Sequence, residues 1–304
     1  MSGHNIAHVN AQLSKGATHL NVWHGVGLKA VGNAYRGSGR TQDRSTRAAG
    51  FLQRLQRRHL TPMDRVLVTT SDFTQQHFSS QFDIPIEDCP QLGYSRLDWA
   101  FDAALAARAR ELDRACDFVL RPDGVEEAYL YLPTFRDSQR PFLKEALPDL
   151  PRLSAILRAR KAVLYLKPHP KTQVEDLVRL DNIRLWPDHI DFNTYLSEIS
   201  ALITDYSSVL YDHLAVRDDG IILYTFDMAD YLARDRNISY PFEENVIGVR
   251  ANSFNELCDA LQGGSALRPL PPAEVARLRE RFWGGSHRPA SPAIVDYTMR
   301  HLHH

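Results

Sequence analysis

From residue 128 onward, short apolar runs recur along the chain: Ala128 to Pro133, Ala162 to Leu166, Ile183 to Trp186, Ala201 to Thr204, Ile221 to Tyr224 and Val246 to Val249. Segments of helical character lie between them, Leu153 to Arg160 and Thr194 to Ile199 among them. Strands that alternate with helices predict an α/β fold built on a parallel, doubly wound sheet. Phe254 to Leu261 and Glu274 to Trp283 add late helices, with breaks at Gly263-Gly264 and Pro269-Leu270-Pro271-Pro272. Upstream the signal is thinner. Only Leu20 to Val22 and Arg65 to Thr70 read as strands, followed by a helix starting at Ser71-Asp72 and a long helical stretch from Asp98 to Cys116. A doubly wound half-domain needs about four to six strands. The expectation is therefore two lobes with a boundary near residue 117: a partial one over 1–116 and a complete one over 117–304.

The 304 residues are 43% hydrophobic, which suits a two-lobed globular protein. No apolar run approaches the ~18 residues that span a bilayer, and the first residues lack the pattern of a secretory signal. Cys89, Cys116 and Cys258 stand singly, an odd set that fits reduced thiols in a cytosolic protein. A net charge of −1 hides an asymmetry. Between Lys29 and Arg65 lie nine basic side chains and two acidic ones, a local excess of seven positive charges. Within it Phe51, Leu52, Leu55 and His59 fall at helical spacing, with Arg54, Arg57 and Arg58 toward the other side. That stretch is either a solvated helix face or a contact for an anionic partner, a lipid headgroup or a polyanionic polymer. Nucleic acid is not expected, because no aromatic platform or recognition-helix pattern accompanies the charge.

Polar clusters fall where strands end. Thr204-Asp205-Tyr206-Ser207-Ser208 follows the run 201–204 and opens a helix, a position where backbone N–H groups and the helix dipole hold phosphate. One such residue would serve as a cap; the row exceeds that need. Lys167-Pro168-His169-Pro170 closes another run, and the two prolines fix the backbone around the imidazole. Trp23-His24-Gly25-Val26-Gly27-Leu28-Lys29 places a histidine on a glycine loop that a ligand can approach, or that serves packing alone. Its spacing is not that of a dinucleotide fingerprint. At a fourth strand end, Thr134 and Arg136 are candidates for phosphate, with Asp137 placed to hold Arg136. No metal-ligand pattern, nucleophile elbow or P-loop is present, and no metal or cofactor is expected.

As an ordered set, Trp23-His24-Gly25 with Leu28-Lys29, Gly93-Tyr94-Ser95-Arg96 with Asp98, Pro133 to Asp137, Lys167 to Pro170 and Thr204 to Ser208 resembles the CDP-glycerol glycerophosphotransferase family. That family includes teichoic acid primases and polymerases and related capsule enzymes. The resemblance implies a GT-B-like fold of two Rossmann-like lobes. The second lobe would bind a CDP-alditol donor, and the shortened first lobe would lie on the side of a lipid-linked or polymeric acceptor. It places the family's two histidines on His24 and His169. Donor phosphate contacts fall on Thr134, Arg136, Thr204, Asp205, Ser207 and Ser208, and acceptor or loop support on Gly25, Lys29, Arg96 and Asp98.

The chain departs from the family in reading Val26 and Gly27 where WHGTPLK is common. It also has 22 residues ahead of Trp23, against a much longer segment in the family. The first lobe is thus expected to be truncated, completed by another chain, or missing through a misplaced start codon, and a homo-oligomer or a partner completing that lobe is expected. The implied reaction moves glycerol phosphate, or a related alditol phosphate, onto a hydroxyl of a cell-surface glycopolymer precursor. It would take place in the cytoplasm at the inner face of the membrane. Rival readings are a GT-B glycosyltransferase using a nucleotide sugar and a non-catalytic remnant that binds nucleotide or polymer.

Overall fold

The computed structural model describes residues 19–29, 65–169, 172, 180–284 and 289–301. A two-stranded parallel sheet pairs β1 (His19–Asn21) with β2 (Arg65–Leu67). The main sheet contains β3 (Glu127–Leu132), β4 (Ala162–Leu166), β5 (Ile183–Leu185), β6 (Ala201–Thr204), β7 (Ile221–Tyr224) and β8 (Val249–Ala251). It is parallel throughout, in the order β5-β4-β3-β6-β7-β8. Around these lie α1 (Asp72–Phe82), α2 (Asp98–Phe101), α3 (Ala103–Ala115), α4 (Phe142–Ala146), α5 (Leu150–Ala159), α6 (Val209–Val216), α7 (Met228–Arg234), α8 (Phe254–Gly263), α9 (Pro272–Trp283) and α10 (Ala290–His301).

The unbroken apolar runs have a direct cause. Side chains alternate across a strand, so a run stays apolar at every position only when both faces of the sheet are covered. Ala128, Leu130 and Leu132 of β3 join Val163, Leu202 and Leu223 in one core, while Tyr129 and Tyr131 join Leu164, Ile203 and Tyr224 in the other. Leu210 and Leu214 of α6, with Val275 and Leu278 of α9, close the first face. Leu153 and Leu157 of α5, with Leu257 and Leu261 of α8, close the second. Each fully buried leucine contributes about 2 kcal/mol relative to exposure. Leu20, Val26, Leu28, Val66 and Val68 belong to the first core as well, so the N-terminal strands and the main sheet share apolar packing.

The helix at Ser71-Asp72 forms with a reciprocal cap: the Ser71 hydroxyl accepts from the Thr74 N–H, and Thr74 Oγ1 accepts from the Ser71 N–H. Three expectations shift. The stretch 98–116 breaks at Asp102, whose carboxylate accepts from the N–H groups of Ala104 and Leu105 at 2.9 and 3.1 Å and starts α3 anew. Thr194 to Ile199 gives way to a 3₁₀ turn, Phe192–Tyr195. The last strand begins at Val249, where pairing with Ile222 starts; Val246 is buried from a loop, which apolarity alone does not distinguish from a strand.

α9 and α10 return to the elements that precede residue 117. The Thr70 hydroxyl donates to the Phe282 carbonyl at 2.5 Å, and the Asp98 carboxylate accepts from the N–H groups of Ala290 and Ser291 at 2.6 and 2.8 Å. Among the described residues no helix is long and apolar enough to cross a membrane. The basic segment with Arg54, Arg57 and Arg58 lies outside the described residues.

Candidate functional site

The turn between β6 and α6 is the centre of the candidate site. Thr204 is fully buried and its hydroxyl donates to the Leu132 carbonyl at 2.8 Å, stitching β6 to β3. Asp205, also fully buried, accepts from the Thr134 and Tyr206 N–H groups at 2.9 and 2.6 Å. Arg136 reaches the second Asp205 oxygen at 2.9 Å, grips Asp227 through Nε and Nη2 at 2.8 and 2.9 Å, and donates to the Thr134 carbonyl at 2.6 Å. Only 1% of Arg136 is exposed. Burial works against its charge, yet Asp205 and Asp227 outweigh that cost and hold it firmly protonated.

Arg136, Thr204 and Asp205, expected to touch phosphate, thus lie beneath the surface and build the turn from below. Thr134 lies there too, its hydroxyl buried without a hydrogen-bond partner. Asp137, expected to hold Arg136, pairs instead with Arg236. What faces outward is Ser207 and Ser208, both half-buried. Ser208 precedes α6 without a side-chain cap bond, and the Ser207 hydroxyl reaches the Val209 N–H only at 3.4 Å. The positive end of α6 thus has no strong side-chain cap, an arrangement that can accommodate an anion.

The loop after β1 rests on this helix start. A Cβ on Gly25 would lie 2.6 Å from Ser208 Oγ, so any larger residue would make the Ser208 side chain turn away, and the loop rests directly on that serine. At Gly27 the backbone takes a φ of +76°, and a Cβ would meet the Phe78 ring at 2.8 Å. Both glycines therefore serve packing of the chain on itself. Trp23 holds a left-handed φ of 48°, fixed by its N–H bond to Asn21 Oδ1 at 2.9 Å and by ring contacts to Phe78 and Phe82. The Tyr94 hydroxyl donates to the Gly25 carbonyl at 3.1 Å. Held on these sides, the loop leaves His24 exposed, one residue before the Gly25 that lies against Ser208.

Lys29, half-buried, forms an antiparallel bridge with Ile238, next to the bond from the Ser239 N–H to the Leu28 carbonyl at 3.0 Å. Burial pushes its ammonium down to about 8; Asp205 opposes this and Arg236 adds to it. His169 follows β4 and is exposed, its ring 4.6 Å from Phe135, with its carbonyl accepting from the Thr172 N–H at 2.7 Å. Lys167 is oriented by Asp188 at 3.3 Å.

Arg96 and Asp98 act as supports. Arg96 clasps the buried Asp212 of α6 at 2.6 and 3.3 Å and covers the Tyr94 ring at 4.4 Å. Burial pushes the Asp212 carboxyl up, with Arg96 opposing. Asp98 instead caps α10 through Ala290 and Ser291. Sequence reasoning missed Asp212, Asp227 and Arg236. Asp227 stands three residues beyond the end of β7, a strand-end position that would have been the available signal.

The family model described as CDP-glycerol:poly(glycerophosphate) glycerophosphotransferase matches residues 4–299. The chain is 29% identical over 252 residues to the teichoic acid ribitol-phosphate polymerase TarK of Staphylococcus aureus (strain NCTC 8325 / PS 47), covering 80% of this chain and 45% of TarK. It is 25% identical over 201 residues to the teichoic acid poly(ribitol-phosphate) polymerase of Bacillus spizizenii (strain ATCC 23059 / NRRL B-14472 / W23), covering 64% and 32%. The chain therefore spans less than half the length of these curated relatives. The solved wall teichoic acid polymerase TagF shares the fold, with a TM-score of 0.69 at 21% identity over 94% of this chain and 68% of that one. With the family model matched over nearly its whole length, the chain belongs to the CDP-glycerol:poly(glycerophosphate) glycerophosphotransferase family and has its GT-B-like α/β fold.

Proposed function

We propose that the protein transfers glycerol phosphate or a related alditol phosphate from a CDP-linked donor to a hydroxyl of a teichoic-acid-like polymer. The observation that carries this reading is the contact of the His24 loop with the Ser207-Ser208 start of α6, which has only a long side-chain cap bond, within a chain of this family. A donor phosphate at Ser207 and Ser208 would meet helix N–H groups and the positive dipole end. His24 takes the proton from the acceptor hydroxyl as it attacks the β-phosphorus, the role for which an imidazole is suited among side chains. The bond from that phosphorus to the bridging oxygen breaks and CMP leaves. His169 balances charge on the transferred and departing phosphates. The lobe before residue 117 receives the acceptor, and the basic segment 29–65 holds the protein against an anionic membrane surface.

The test is CMP release from CDP-glycerol and CDP-ribitol in the presence of a polymer acceptor. His24→Ala and His169→Ala are each expected to lower the rate by about a hundredfold or more with the fold intact. Near-normal turnover in either variant refutes its role. Turnover of UDP-sugars with neither CDP donor consumed would move the protein to the glycosyltransferases. Binding without turnover of any donor would make it a non-catalytic relative.

A further inference from the structure

We infer that Asp227 is a positioning residue that fixes the phosphate-binding turn through Arg136 and Tyr206. The inference rests on the reading of Ser207 and Ser208 as donor contacts. Asp227 follows β7, and Arg136 and Asp205 follow β3 and β6, so one buried cluster ties the C-terminal ends of three neighbouring strands. Its carboxylate accepts from Arg136 Nε and Nη2, from the Tyr206 hydroxyl at 3.1 Å and from Arg140. Its side chain is 3% exposed.

The geometry assigns a direction to these bonds. Arg136 is clamped by Asp227 on one side and so offers Nη2 to Asp205 on the other. Asp205, thus oriented, holds the N–H groups of Thr134 and Tyr206 and fixes the backbone immediately before Ser207. Tyr206 is tied twice, at its backbone by Asp205 and at its hydroxyl by Asp227. The Phe142, Tyr206 and Tyr231 rings surround the Arg136 guanidinium at 4.6 to 5.3 Å and keep water from competing for it. Arg136 pairs with Asp205 and Asp227, and Arg140 pairs with Asp227 as well as with Glu145 and Asp230 nearer the surface, so removing the Asp227 charge frees both arginines at once.

Asp227→Asn keeps the side chain's shape and removes its charge. Glu127→Gln serves as control: it weakens the Arg160–Glu127 pair at the opposite end of β3, away from the turn. Hydrogen exchange of the whole chain is followed by mass spectrometry at the amides of residues 206–210. Asp227→Asn is expected to speed exchange there by roughly tenfold or more, while Glu127→Gln and the amides of β8 and α8 stay unchanged. CMP affinity should fall roughly tenfold to a hundredfold in the same variant. Unchanged exchange at 206–210 overturns the inference, as does acceleration shared equally by the β8 and α8 amides, which marks a merely structural role. If Asp227→Asn does not fold, Tyr206→Phe makes the same comparison, since it deletes only the hydroxyl tie to Asp227. A wild type that binds no CMP refutes the donor reading, and the exchange result then decides the positioning role by itself.

Discussion

At the residue scale, the polar side chains around the β6–α6 turn divide by exposure. His24 and His169 are exposed and Ser207 and Ser208 half-buried, whereas Arg136, Asp205, Thr204 and Asp227 form a dry support. Lys29 lies between the two groups and carries a measurable signature. Its ammonium is lowered from 10.5 to about 8 in the fold, chiefly by burial. Between those two values the unfolded chain binds the proton that the folded one has released, so this group makes stability rise as pH climbs from about 8 to 10.5. Below about 8 both states are protonated and its contribution is level. Urea unfolding of wild type and Lys29→Met across this window is expected to show a rising difference in favour of wild type. Parallel pH curves for the two proteins would contradict the placement of Lys29.

At the element scale, α6 is the piece that must not move if its start is to hold the donor phosphate proposed above. Arg96 pins it through Asp212, which has 6% of its side chain exposed. Removing one partner of a buried pair leaves a charge without compensation and costs about 3 to 5 kcal/mol. Because 19% of the Arg96 side chain remains exposed to water, Arg96→Met is expected at the lower end, about 3 kcal/mol. Arg96→Met with Asp212→Leu should recover most of that loss, because an apolar pair of similar volume needs no counter-charge. Denaturant midpoints for the two single variants and the double variant close the cycle. Strict additivity would mean that the clasp contributes nothing of its own.

At the scale of the whole molecule, net charge of −1 coexists with seven excess positive charges between Lys29 and Arg65. At roughly 1 kcal/mol per basic residue near an anionic surface, a few of them suffice for reversible attachment. Exposed charges are screened over ~10 Å at 0.1 M salt, so attachment should weaken as salt rises. Co-sedimentation with vesicles containing an anionic phospholipid is expected at low salt. It should be lost when Arg54, Arg57 and Arg58 are all replaced by glutamate. Binding that ignores either change would leave the segment as a solvated face.

How much could be read in advance follows the range of the interactions. The order of strands and helices, the parallel sheet and the strand-end positions of His24, His169 and Ser207-Ser208 were set by local pattern. Five of the six main-sheet strands formed where the apolar runs lie, because covering both faces leaves a continuous mark in the sequence. The roles of Arg136, Asp205 and Asp98 were not legible. Arg136 meets Asp205 across 69 residues and Asp227 across 91, and Asp98 meets Ala290 across 192. A charged side chain at a strand end reads the same whether it greets a ligand or a buried partner. Desolvation and pairing separate the two outcomes, and both are properties of the folded neighbourhood. The sequence by itself determined the sheet and the strand ends where the candidate polar groups stand; the tertiary structure alone decided which of those groups face outward and which hold them there.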